Sequence, residues 1–146
     1  MNEFSSSPEF DNEVAKEVAD KKAAINAYKK FVEKGITHPD DLDLKDPEVK
    51  EAHDLFFKWQ ESIDKNAGNN EELKIRAKLE KTMFYVDAGF TNIEYLDDIL
   101  NDFLAQDAVD TEKIKDNSER SETRRLIAEA IIKVKKIIKS QKNKFK

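Results

Sequence analysis

The sequence predicts an all-α protein, an antiparallel bundle of about five helices. Three observations carry this expectation. Glycine and proline number only three each in 146 residues, leaving few points where a helix must break. Apolar residues recur at helical rather than alternating spacing in every long segment. Charged residues make up 39% of the chain, enough to solvate the backs of several helices while one face of each stays apolar. At this length one cooperative domain is expected over residues 11–140, with residues 1–10 as a disordered arm and residues 141–146 as a frayed basic tail.

The arm reads Glu-Phe-Ser-Ser-Ser-Pro-Glu-Phe from position 3 and shows no helical period. The first helix is expected from a cap at Asp11 or Asn12 to Lys34, where Gly35 stops it. Val14, Val18, Ile25, Tyr28 and Val32 form its core stripe, interrupted by Lys21 and Lys22, whose stems can snorkel. In the connector that follows, Leu42 and Leu44 are expected to anchor against the core. Its aspartates do not make a calcium loop, because Lys45 and Ala52 fall where a fifth and a twelfth ligand belong.

The second helix starts at the Asp46 cap with Pro47 in the first turn and ends near Ile63. Val49, Ala52, Phe56, Trp59 and Ile63 form its buried stripe, whereas Phe57 lies about 100° round the wheel among Lys50, Asp54 and Glu61. Asn70 caps the third helix, which is apolar on two sides: Leu73, Ala77 and Phe84 on one, Ile75, Leu79, Met83 and Val86 on the other. Such a helix is sandwiched, so it is expected at the centre of the bundle. Gly89 closes it, and Thr91 is expected to cap the fourth helix, with Glu94 completing a capping box and Phe90 and Tyr95 stapling the entry. Ile93, Leu96, Ile99, Leu100, Phe103 and Leu104 share its apolar arc; Glu94, Asp97, Asp98, Asn101 and Asp102 share the opposite one. After a polar link with a turn near Ile114, the last helix runs from a cap at Asp116 or Ser118 to about Ser140, burying Ile127, Ala130, Ile131, Val134 and Ile138.

Charge is segregated along the chain although the net value is only -5. Residues 87–112 hold eight acids and no Lys or Arg, whereas residues 124–146 hold nine bases and one acid, Glu129. The charged faces lie opposite their own core stripes, so neutralisation within one bundle is expected to be difficult. Segregation of this kind speaks to partners and fields rather than to fold.

Several classes of chemistry are absent from the sequence. There is no cysteine, hence no disulfide, thiolate nucleophile or Cys-ligated zinc. His38 and His53 stand apart, and Lys50 occupies the place three residues before His53 where a di-metal carboxylate bundle carries Glu. No glycine-rich phosphate loop or serine elbow is present, so the expectation is a non-enzymatic protein without cofactor or metal. No apolar run approaches the ~20 residues that span a bilayer, and no export signal is evident, which points to the cytoplasm.

Two binding roles are compatible with this pattern. In the first, an interaction module acts as adaptor, assembly subunit or inhibitor, and meets a basic protein surface through Glu94, Asp97, Asp98 and Asp102, with Phe57 as an aromatic anchor. In the second, Arg124, Arg125, Lys133, Lys135, Lys136 and Lys139 bind nucleic acid without sequence preference. Four arginines against 22 lysines leave little capacity for bidentate base reading. Attraction between the acidic and basic segments of different copies is the remaining option.

Overall fold

A computed structural model gives the architecture and describes residues 8–144. Five α-helices follow one another among these residues: α1 (Pro8–Glu33), α2 (Pro47–Ala67), α3 (Glu71–Ala88), α4 (Ile93–Ala108) and α5 (Asn117–Lys144). Two short 3-10 turns, Pro39–Asp41 and Asp110–Lys113, lie in the connectors, and no strand occurs in the described chain.

The helices alternate in direction. Contacts pair Tyr28 with His53, Asp20 with Ser62 and Glu17 with Asn66, so α1 and α2 are antiparallel. Trp59 stacks on Phe84 while Asp64 meets Lys81, which makes α2 and α3 antiparallel as well. Arg124 reaches Asp107 near the end of α4, and Gln141 shares a cleft with Glu94 at its start; α4 and α5 therefore run opposite ways.

The prediction of a sandwiched third helix holds. Ala77 and Phe84 join one core cluster with Tyr28, Phe31, Val49, Ala52, Trp59 and Ile63 from α1 and α2. Ile75, Met83 and Val86 join a second with Leu96, Ile99 and Phe103 of α4 and Ile127, Val134 and Ile138 of α5. Leu79 packs on the second cluster, as its side of the wheel requires, but Leu73, one turn into the helix, is exposed.

Most helix ends follow the expected chemistry. Asp46 Oδ1 accepts from the Glu48 amide at 2.8 Å, and Asn70 Oδ1 accepts from the Leu73 amide at 2.9 Å. Asp116 is the α5 cap, accepting from the Glu119 amide at 2.8 Å. Gly89 closes α3 at φ 110°, with its own amide and that of Phe90 each bonded at 3.0 Å to Val86 and Tyr85 carbonyls.

Other boundaries and burials differ from the sequence expectation. Pro8 opens α1, so residues 8–10 of the expected arm are helical, a position where the missing proline amide costs no bond. The remainder of that arm, residues 1–7, lies outside the described chain. Val14 and Val18 are exposed because this end of α1 turns Glu17, Asp20 and Lys21 toward its neighbours, where they meet Asn66, Ser62 and Glu80. Leu42 anchors the connector, but Leu44 is exposed. Helix α2 continues past Ile63 to Ala67, burying Ala67 before Gly68 ends it. Helix α5 continues through residues 141–144 of the expected frayed tail, and residues 145–146 lie outside the described chain.

The cap of α4 is Asn92 rather than Thr91. The α3 closure uses the Gly89 and Phe90 amides and sinks Phe90 into the core, which leaves Thr91 as a spacer. Asn92 then donates its amide to the Thr37 carbonyl at 3.1 Å and accepts from the Tyr95 amide at 3.0 Å. Phe90 and Tyr95 both pack on Tyr85, with ring centroids 5.6 and 6.4 Å away.

Candidate functional site

Helix α4 buries Leu96, Ile99, Phe103 and Gln106 on one arc, and the 3.6-residue period turns Glu94, Asp97, Asp98, Asn101 and Asp102 to solvent on the other. Glu94, Asp98 and Asp102 follow one another at four-residue spacing, where like charges destabilise a helix by roughly 0.2–0.5 kcal/mol per pair. None of the four acids on this arc forms an ion pair with a described residue.

The remaining acids of the same stretch are paired, which corrects for these four residues the expectation that neutralisation within one bundle is difficult. Asp87 meets Lys133 at 3.0 Å and Lys21 at 3.8 Å. Asp110 meets Lys78 at 3.0 Å, and Arg124 bridges Glu112 at 2.9 Å and Asp107 at 3.9 Å. Side chains on the flanks of α3 and α5 reach across the helix boundaries where the wheel places them only beside the core stripe. Lys21 also lies 5.5 Å from the Trp59 ring centroid, the snorkelling geometry its position implied.

The same pairing divides the basic residues of α5. Arg124 is engaged as above and also donates Nε to Thr111 Oγ1 at 3.0 Å; Arg125 is clamped by Glu122 and Glu129; Lys133 is held by Asp87. Lys135, Lys136 and Lys139 are exposed and pair with no described carboxylate.

Phe57 is 56% exposed on α2, and its aromatic neighbours belong to its own helix, His53 at 6.4 Å and Phe56 at 5.8 Å between centroids. No aromatic or ion pair joins it directly to α4 among the described residues. The link is indirect: Phe56 stacks on Tyr85 at 5.6 Å, and Tyr85 meets Tyr95 on α4. Burial pushes the Tyr95 hydroxyl pKa up, with the negative charges of Asp40 and Asp102 adding to the effect after the neighbouring Tyr85.

Sequence reasoning placed Leu104 in the core, yet it is 56% exposed, and Val109 just beyond it is 60% exposed. Leu104 lies seven residues after Asp97, two helical turns along the same line, and that heptad spacing was the signal available. The exposed arc of α4 is therefore acidic along its first turns and apolar at its end. No cluster of three or more metal-ligating side chains occurs among the described residues, and none of their helices is long and apolar enough to cross a membrane.

No protein-family model matches the chain, and no curated protein or solved structure shows significant similarity to it.

Proposed function

We propose that the protein is a non-enzymatic interaction module, an adaptor, assembly subunit or inhibitor, whose α4 arc meets a basic protein surface. The supporting observation is the contrast within one acidic stretch: Asp87, Asp107, Asp110 and Glu112 have cationic partners, whereas Glu94, Asp97, Asp98 and Asp102 have none. An uncompensated acidic face raises the association rate of basic partners, and the exposed Leu104 and Val109 at its end offer apolar area to hold them. Phe57 stands apart as a second anchor for a partner broad enough to reach α2.

The unpaired Lys135, Lys136 and Lys139 favour a second reading, sequence-blind nucleic-acid binding through α5. Internal pairing of Arg124, Arg125 and Lys133 reduces its charge, and the net charge of -5 opposes a polyanion.

The test is capture of partners from native lysate at low and physiological salt, with and without nuclease. The wild type is expected to retain a nuclease-resistant protein whose affinity falls with salt, and the Asp97→Asn, Asp98→Asn, Asp102→Asn triple variant to lose it. Unchanged affinity and salt dependence in the triple variant would overturn the reading. Loss of all retained material on nuclease treatment would transfer the function to α5.

A further inference from the structure

We infer that the α4 arc of one copy docks on the outward face of α5 of a second copy, so that the chain self-associates head to tail. This rests on the reading of α4 as an interaction surface and names its partner. Two exposed faces carry it. Along α4 the four unpaired acids precede Leu104 and Val109; along α5 the exposed Ala128 and Ile132, the latter 52% exposed, precede the unpaired Lys135, Lys136, Lys139 and Lys142.

The two faces match in sign, in order and in spacing. The centre of the acids lies about 13 Å from the centre of Leu104 and Val109, and the centre of the lysines lies about 12 Å from that of Ala128 and Ile132, at a rise of 1.5 Å per residue. The charged end comes first in α4 and last in α5. Laid antiparallel, the two helices therefore bring acids onto lysines and apolar residues onto apolar residues at once. Within one chain α4 and α5 already run antiparallel, but they meet through their buried sides, which leaves the outward strips for another copy. Each contact uses α4 of one copy and α5 of the next, so both strips remain available at the two ends of any pair. Such a heterologous contact propagates into a ring or a filament.

The experiment is sedimentation equilibrium on the full chain with two charge-reversal variants: Asp97→Lys, Asp98→Lys, Asp102→Lys for α4, and Lys135→Glu, Lys136→Glu, Lys139→Glu for α5. At low salt the wild-type mass is expected to rise with concentration from 16.9 kDa past that of a dimer, and to return to the monomer value as salt screens the strips. Each variant alone is expected to bind itself about tenfold or more weakly. Mixed in equal amounts, they are expected to regain association past the dimer, because the reversed α4 of one variant matches the reversed α5 of the other just as the two unaltered strips match each other. Asn and Gln versions of the same positions replace any variant that does not fold.

A wild type that stays monomeric at every concentration and salt would overturn the inference while leaving the reading of α4 to the lysate experiment. Variants that still associate alone, or a mixture that stays monomeric, would overturn it too.

Discussion

Phe57 and Trp59 sit two residues apart on α2 with opposite fates, because one falls off the apolar stripe and the other lies within it. Trp59 is fully buried, stacked at 5.2 Å on Phe84, so Trp59→Ala is expected to cost about 3–5 kcal/mol in urea unfolding. Phe57→Ala should stay within about 0.5 kcal/mol of wild type, since the ring is 56% exposed and its aromatic neighbours are on its own helix. Equal losses at the two positions would mean that another helix covers Phe57. Tyr28 gives a third case: its hydroxyl bonds His53 Nδ1 from the middle of the aromatic cluster. Tyr28→Phe keeps the ring packing and strands the His53 nitrogen, for a loss of about 1–2 kcal/mol.

Helix ends show how far local chemistry can be read. Asn92→Ala should destabilise by about 1 kcal/mol through loss of the bond to the Tyr95 amide, while Thr91→Ala should be nearly silent; the reverse order in thermal melts would restore Thr91 as the cap. Gly89→Ala is costlier, about 1–2 kcal/mol from its left-handed conformation alone, and the added carbon would stand 3.2 Å from Val32 Cγ1. A Gly89→Ala protein as stable as wild type would contradict this geometry. Asp46, Asn70 and Gly89 were legible because each acts on amides or carbonyls within a few residues. The two sides of α3 were legible for a similar reason, since periodicity alone assigns them. Val14 and Val18 were not: the period names the apolar stripe of α1, but not that its first turns present Glu17, Asp20 and Lys21 to the neighbouring helices instead. Thr91 and Asn92 are both competent caps, and the choice between them falls to the Thr37 carbonyl, 54 and 55 residues away in sequence. The candidate arc on α4 was legible as a face, whereas its division into paired and unpaired acids depended on where Lys133, Lys78 and Arg124 came to rest across helix boundaries.

At the scale of the molecule, two core clusters meet on the two sides of α3, and Tyr85 and Tyr95 pack where they join. The hydroxyl pKa values of Tyr28, Tyr85 and Tyr95 are all raised above the ordinary 10.0, chiefly by burial. Each therefore keeps its proton to higher pH in the folded chain than in the unfolded one. Below about pH 10 both states are protonated and the stabilisation is intact; above it the unfolded chain releases protons that the fold retains, so stability falls. The loss approaches about 1.4 kcal/mol per pH unit for buried Tyr28, and Tyr85 and Tyr95 add to it in the same direction. Lysines also lose charge in this range, and Tyr28→Phe separates the two effects because it removes one buried hydroxyl and no charge. Urea midpoints taken at about pH 9 and about pH 11 should fall for the wild type and fall less for Tyr28→Phe. Parallel losses in the two proteins would assign the alkaline sensitivity to groups other than the buried Tyr28 hydroxyl.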